Sequence, residues 1–235
     1  MSLSENSFVD RLKKSRDLQA AVATLVPVFA PADVSLSAAA FFSQIATVAL
    51  LNTALDGPKT VLADAILARV ADTKTTKTLL TQLVAFVKSN SVWKSKYPRI
   101  KDLADKVRGF KPPRKAPLPG PTPAPKPRDR GDGSYAEIAA NFTALVSALG
   151  TLSGFNPPDN AIKLITLQPL AGRLATNNVA VATADQEVAE AQRNRFAGYY
   201  GPGGLKERFA AIKTAVKGQY GQNSPQWGQV KGIRW

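Results

Sequence analysis

The chain has 235 residues, enough for one large domain or two small ones, and its 44% hydrophobic residues suffice for packed cores. It contains no cysteine and no histidine, which excludes disulfides, thiol nucleophiles and the commonest metal ligand and general base. Its formal net charge of +14 attracts polyanions such as nucleic acid, acidic membranes or acidic proteins. We therefore expect no enzyme, no cofactor, no metal site and no small-molecule substrate.

The first half of the chain predicts helices over 8–26, 33–51, 58–70, 75–89 and 99–108, because apolar residues recur there at three- and four-residue steps. Pro27 and Pro31 end the first helix, Asp33 caps the second, and Asp72 marks a weak break between the third and fourth. The stretch 34–55 approaches the length of a membrane span. Polar residues interrupt it, so we predict a buried helix.

The second half predicts helices over 134–152, 160–174, 178–199 and 205–219, followed by an extended tail over 221–235. Ser134 and Glu137 have the spacing of a capping box, and Asp159 caps the second of these helices. The pattern contains no sustained period-two alternation and no hairpin signal. The predicted fold class is therefore all-α.

The two halves repeat one another. Phe29-Ala-Pro31-Ala-Asp33 corresponds to Phe155-Asn-Pro157-Pro-Asp159, and Val107-Arg-Gly corresponds to Val230-Lys-Gly. The repeat predicts two four-helix bundles in tandem, over 1–110 and 134–235. The segment 111–133 between them is rich in proline and carries six basic and two acidic residues, which predicts a stiff, extended polyproline II linker.

The second copy also resembles a class of bacterial helical proteins, familiar from Bacteroidetes-type genomes, that has no assigned activity. The motifs that carry the resemblance are Asn141-Phe142 before Phe155-Asn-Pro157, then Arg193-Asn-Arg195 before Tyr199-Tyr200, and the ending Val230-Lys-Gly-Ile-Arg234. The resemblance implies a helical tandem and no catalytic residues.

Two clusters in the second half of the chain could in principle carry out chemistry. Glu187 and Glu190 share a face of one predicted helix, a pattern typical of a solvated charged surface. The run 201–204 is rich in glycine but lacks the strand and the Gly-Lys-Ser/Thr signature of a phosphate-binding loop, so we interpret it as a turn between helices.

Basic and aromatic side chains interleave in a pattern that suits phosphate contact and base stacking. The candidate nucleic-acid contacts are Trp93, Lys94, Lys96, Tyr97, Arg99, Lys101, Arg108, Lys111, Arg114 and Lys115. The competing interpretation is that each aromatic ring fills the core of its own bundle while the charges are solvated.

The proline-rich segment and the C-terminal tail are the predicted contacts for assembly. Apolar side chains at a chain end are unusual unless they pack against something, and a stiff basic segment can lie in a groove of a neighbour. The candidate assembly contacts are Pro117, Pro119, Pro121, Pro123, Pro125, Trp227, Ile233, Arg234 and Trp235.

The function predicted from the sequence is a non-enzymatic structural subunit of a larger filamentous or ring-like assembly, with other copies of the chain as partners. The alternative is a basic nucleic-acid-binding protein that uses residues 94–115. A membrane partner is disfavoured. The absence of an evident signal peptide or transmembrane segment favours a cytoplasmic location.

Overall fold

The computed structural model describes residues 5–109 and 133–235. Within these ranges all regular secondary structure is helical, which confirms the predicted all-α fold class. The helices are α1 (Glu5–Ala23), α2 (Ala38–Thr53), α3 (Asp56–Ser89), α4 (Tyr97–Arg108), α5 (Tyr135–Gly150), α6 (Leu164–Tyr200), α7 (Leu205–Tyr220) and α8 (Pro225–Lys231). Short 3-10 turns cover Val34–Leu36, Ser91–Trp93 and Asn160–Ile162.

The chain divides into two compact units. Unit 1 comprises Met1–Val61 and Ala184–Trp235, and unit 2 comprises Leu62–Thr183. The long helices α3 and α6 each contribute residues to both units. Each unit therefore draws on both halves of the sequence.

The core of unit 1 joins α1 and α2 to the end of α6, α7 and α8. Its buried side chains include Phe8, Leu12, Leu18, Val22, Leu25, Phe29, Phe41, Ile45, Val48, Tyr199, Phe209, Ile212, Val216 and Val230. The Tyr199 hydroxyl donates to the Phe8 carbonyl at 3.0 Å and accepts from the Asn52 amide at 2.9 Å. Desolvation by burial raises the pKa of Tyr199.

At Gly198 an added Cβ would lie 2.7 Å from a Leu51 methyl group, so the glycine permits close packing of α6 on α2.

The core of unit 2 joins the later part of α3 and α4 to α5 and the start of α6. Its buried side chains include Leu80, Leu83, Val87, Trp93, Ile100, Ala104, Val107, Ile138, Phe142, Leu145, Leu149, Leu152, Ile162, Leu167, Leu170 and Leu174. Helix α5 begins with the predicted capping box, in which the Ser134 hydroxyl accepts from the Glu137 N–H and the Glu137 carboxylate accepts from the Ser134 N–H.

The units combine the two sequence copies crosswise. Unit 1 contains the first helices of the first copy and the last helices of the second, and unit 2 contains the reverse combination. The predicted tandem, with one bundle in 1–110 and another in 134–235, is not confirmed. The predicted linker, 111–133, lies almost entirely outside the described residues.

Helices α3 and α6 are continuous where the sequence predicted breaks near Asp72 and near 175–177. The Thr76 hydroxyl donates back to the Asp72 carbonyl at 2.8 Å, within the helix. The Asp72 carboxylate accepts from Arg173 and Asn177 and does not cap a new helix. The Asp72 side chain, which would favour a helix start on its own, is thus bound to α6. Both α3 and α6 therefore continue through the predicted breaks.

The C-terminal tail is not the extended segment that the sequence predicted, since it contains α8. The Ser224 hydroxyl accepts from the Trp227 N–H at 3.0 Å, and Pro225 occupies the first turn. Both residues are typical of a helix start, because serine caps the free N–H groups and proline has no N–H to lose.

Candidate interaction surfaces

The residues predicted at the C-terminus pack against their own unit. Trp227, Ile233 and Trp235 are half-buried against the unit 1 core, while Arg234 is exposed. The Trp235 ring centroid lies 5.3 Å from that of Phe209, in an edge-to-face arrangement. The tail aromatics therefore have packing partners within unit 1, and their predicted role in assembly stays a prediction.

Lys213 fixes the tail further. Its ammonium donates to the carbonyls of Lys231 and Ile233 at 3.0 and 2.8 Å, and lies 5.8 Å from the centre of the Trp227 ring. Desolvation lowers the pKa of Lys213, with the Arg234 charge acting in the same direction. A cation held on the last carbonyls of a short helix also suits the dipole at that end.

The basic and aromatic cluster separates into buried, paired and free groups. Trp93 is 4% exposed, and its indole N–H donates to the Ser153 carbonyl at 3.0 Å. Tyr97 is half-buried against the unit 2 core. These contacts favour the core-filling interpretation, most strongly for Trp93, which is too buried to stack on a base.

The cations of the same cluster differ in their partners. Lys101 and Arg108 both contact Asp105, at 2.6 and 3.2 Å, and the hydrogen bond from Lys101 is the main cause that lowers the pKa of Asp105. Lys94, Lys96 and Arg99 are exposed, and no carboxylate of residues 5–109 or 133–235 forms an ion pair with them. Among the described cations of the cluster, they are therefore the ones without an ion-pair partner that would compete with a polyanion.

Several predicted contacts lie outside the described residues. They are Lys111, Arg114, Lys115, Pro117, Pro119, Pro121, Pro123 and Pro125. Their predicted roles stay predictions.

The two clusters weighed for chemistry show no assembled site. Glu187 and Glu190 are exposed on α6. Across the part of the chain that the structure describes, no group of three or more acidic residues is placed to hold a metal ion. The glycine-rich run forms the turn between α6 and α7, where the Gly203 N–H donates to the Glu207 carboxylate at 2.8 Å.

Sequence reasoning missed an apolar groove between α1 and α2 of unit 1. The groove has a volume of about 700 Å³. Phe42 and Leu50 on α2 line it and are 59% and 69% exposed, with Ala46 between them. Arg16 and Asp17 of α1 bring one charge of each sign to its rim. Exposed apolar side chains grouped along a concave surface are typical of an interaction site.

A second apolar surface lies on the loop between α1 and the first 3-10 turn. Val26 and Val28 are 77% and 79% exposed, with Pro27 between them, and we call these three residues the apolar loop. Four hydrogen bonds join the segment to α7 and α8: Gln226 Nε2 to Val26 O at 2.6 Å, Tyr220 Oη to Pro27 O at 2.5 Å, Gln219 Nε2 to Val28 O at 3.2 Å, and Ala30 N to Gln219 Oε1 at 3.0 Å. The backbone is thus held in place while both valines face solvent.

Unit 2 contains the equivalent elements without these surfaces. The 3-10 turns at 34–36 and 160–162 and the helix starts at Ala38 and Leu164 correspond position by position. In this register Phe42 corresponds to Gln168 and Leu50 to Thr176, both exposed and polar. Between the buried residues Leu152 and Ile162, unit 2 has Ser153-Gly154 where unit 1 has the apolar loop. The apolar exposure of unit 1 is therefore not required by the architecture.

The apolar surfaces lie in a stretch almost free of charge. Between Asp17 and Asp56 the only charged residue is Asp33. The helical stretch Ala38–Ser89 contains a window of 18 residues with mean hydropathy 1.5, long and apolar enough to cross a membrane, of which 22% is buried. The stretch 18–55, with Asp33 as its one charged residue, was the available sequence signal for the groove.

Comparison of the chain with protein-family models, with curated proteins and with solved structures gives no match. The resemblance to a bacterial class of helical proteins stays a prediction.

Proposed function

We propose that the protein is a non-enzymatic structural subunit that assembles with other copies of itself through unit 1. The observation that supports this function is the apolar groove, whose exposed Phe42 and Leu50 stand where unit 2 has Gln168 and Thr176. Burial of a large apolar side chain contributes about 1.5–3 kcal/mol, so two such residues are enough to anchor an interface.

Charge distribution favours a second copy as the partner. Two molecules of net charge +14 repel one another over most of their surfaces. The stretch between Asp17 and Asp56 carries one charge, so it is the face on which two copies approach with the least repulsion. The proposal keeps the function predicted from the sequence and moves the principal contact from the C-terminal tail to unit 1.

The second copy of the sequence supplies the test. The double variant Phe42→Gln, Leu50→Thr gives α2 the residues that α6 has at the equivalent positions. Sedimentation velocity over a range of concentrations should show assembly for the wild type and a 25.0 kDa monomer for the variant. We expect apparent affinity to fall about 100-fold or more, since each 1.4 kcal/mol is tenfold. Circular dichroism should be unchanged, because both side chains are largely exposed.

The matched control is the reverse exchange, Gln168→Phe with Thr176→Leu, which adds an apolar face to unit 2 and should leave assembly through unit 1 intact. A wild-type protein that stays monomeric at every concentration would overturn the proposal. So would a double variant that assembles as well as the wild type.

A second candidate function is binding of a polyanion, which the free cations Lys94, Lys96 and Arg99 favour. Replacing all three by glutamine should lower affinity for an oligonucleotide. It should also flatten the dependence of log affinity on log salt by roughly one unit for each phosphate that the variant no longer neutralises. The control is Lys74→Gln with Lys77→Gln, which removes exposed lysines of α3. Binding that ignores both salt and the triple change would remove this candidate.

A further inference from the structure

The apolar loop and the apolar groove are two exposed apolar surfaces of the same unit. The loop is uncharged and is fixed by hydrogen bonds from Gln219, Tyr220 and Gln226. The groove is lined by apolar side chains that include Phe42 and Leu50, with Arg16 and Asp17 at its rim. No residue of the loop lines the groove of its own chain, and Val26 and Val28 remain exposed. Both surfaces are therefore free for another molecule.

We propose that the apolar loop of one copy docks into the apolar groove of the next, so that the chain assembles head to tail; this inference rests on the proposed function. A contact between two different surfaces of one molecule is heterologous, and its repetition gives a ring if the rotation closes and a filament if it does not. The loop fits this role because its backbone is already ordered, which reduces the entropy lost on docking.

Charge supports the loop as the occupant of the groove. The loop lies in the run 18–32, which contains no charged residue, and α2 contains none. The charged residues that line the groove, Arg16 and Asp17, are of opposite sign, so the lining has no net charge. A basic segment would bring further cations against Phe42 and Leu50, and desolvation of an unpaired charge is costly. In a chain of net charge +14, an uncharged loop meets a groove of no net charge without this cost.

Single substitutions to a charged residue test the loop and the groove independently. Val28→Lys blocks the loop and leaves the groove intact, whereas Leu50→Lys blocks the groove and leaves the loop intact. Lysine is a good helix former, so Leu50→Lys should preserve α2. Each variant should sediment as a monomer when alone. An equal mixture should give a heterodimer and nothing larger, because one intact loop still meets one intact groove. The control is Ile165→Lys, at an equally exposed position of unit 2, which should assemble like the wild type.

Disulfide trapping provides an independent test, because the chain has no cysteine of its own. Val28→Cys and Leu50→Cys are prepared as separate full-length proteins and oxidised alone and mixed. Head-to-tail docking predicts a cross-linked dimer in the mixture well above the level in either protein alone. A dominant dimer of Leu50→Cys alone would show that two grooves face one another, which overturns the inference and leaves the proposed function standing.

The remaining outcomes are equally distinct. If Val28→Lys assembles normally and Leu50→Lys does not, the groove takes a different segment of the second copy, and the inference fails alone. If the wild type never assembles, the inference and the proposed function fail together. If it stays monomeric but sediments with anionic phospholipid vesicles, and Val28→Lys abolishes this, the loop is a membrane contact and both proposals are overturned.

Discussion

The two units hold equivalent loops in the same manner and expose different side chains. In unit 2 the Trp93 indole donates to the Ser153 carbonyl, and in unit 1 the Tyr220 hydroxyl donates to the Pro27 carbonyl. In both, an aromatic donor from one copy, at the end of α7 or just after the end of α3, holds the loop of the other copy. Only the unit 1 loop carries exposed valines on either side of the bonded carbonyl.

The difference in exposed side chains indicates which features of the two units are needed for folding. The positions shared by both units are buried, such as Leu18 and Leu145 or Val107 and Val230. The positions that differ are exposed, such as Phe42 against Gln168. Core packing constrains side-chain volume closely, whereas a surface position tolerates either polarity. Folding therefore does not require an apolar residue at an exposed position where the other unit is polar.

The largest expected effect comes from Trp93→Ala. Trp93 packs against Phe86 and Phe155, at ring separations of 5.7 and 5.8 Å, and holds the unit 2 loop. Its loss leaves a cavity and should lower the free energy of unfolding by about 3–5 kcal/mol. Urea denaturation followed by circular dichroism measures the change.

The matched comparison is Tyr220→Phe, which removes the equivalent bond in unit 1 and keeps the ring. It should cost about 0.5–1.5 kcal/mol, the net contribution of an ordinary hydrogen bond. Equal effects of the two changes would contradict the assignment of Trp93 to the core and return it to the candidates for base stacking.

A smaller loss of stability is expected from Trp235→Ala. This variant tests whether the tail contributes to folding or to assembly. Trp235 is half-buried among Tyr199, Tyr200 and Phe209. We expect a loss of about 2 kcal/mol in unfolding free energy, less than for a fully buried tryptophan. Assembly of the folded protein should persist. A variant of undiminished stability that no longer assembles would restore the tail as the interface.

Much of the fold could be predicted from local patterns. The starts of α5 and α7, and the ends of α3 and α4, lie near their predicted positions, because caps and apolar periodicity act over a few residues. The predicted start at Asp33 was wrong for α2, since Asp33 caps the 3-10 turn and Ser37 caps the helix. The continuity of α3 and α6 could not, because it depends on Asp72 finding Arg173 and Asn177, which are distant in sequence. The crosswise combination of copies is hidden for a related reason. The two copies have similar apolar faces. The sequence pattern therefore does not show whether a helix packs against helices of its own copy or of the other copy.

The candidate sites were harder to predict than the helices. The sequence places Trp93, Trp227 and Trp235 at basic clusters but does not give their burial, which depends on packing against Phe86, Phe155 and Phe209. The groove could not be predicted because the pattern of 34–55 is typical of a buried helix. The exposure of Phe42 and Leu50 is evident only in the structure. The register between the units then identifies them as different from Gln168 and Thr176.

The smallest expected effect concerns the aspartates that begin the two corresponding 3-10 turns. The Asp33 carboxylate accepts from the Ser35 hydroxyl and from its N–H, at 2.9 Å for the latter. The Asp159 carboxylate accepts from the Ala161 N–H at 2.8 Å and from the Gln82 amide at 2.6 Å. These hydrogen bonds favour the ionised form and lower the pKa of both aspartates.

A lowered pKa in the folded state gives the sign of the pH dependence. The stabilising contribution of each aspartate is complete above its ordinary pKa of about 4 and is lost as the pH falls through the folded value. Asp159→Ala should destabilise unit 2 slightly at neutral pH and remove this share of the acid sensitivity. Asp159→Asn should remove the same acid sensitivity while largely keeping the cap, because asparagine still accepts the Ala161 N–H.

Thermal unfolding of the wild type and both variants between neutral pH and pH of about 3 measures these effects. The same pair at Asp33 is the matched comparison in unit 1. Both bonds to Asp33 come from Ser35 in the same turn, whereas the bond from Gln82 joins Asp159 to α3, so the alanine variant of Asp159 should be the more destabilising. Equal effects at the two sites would indicate that the Gln82 bond adds nothing to the cap. An asparagine variant as destabilised as alanine would show that the charge, and not the hydrogen bond to the turn, is what each aspartate contributes.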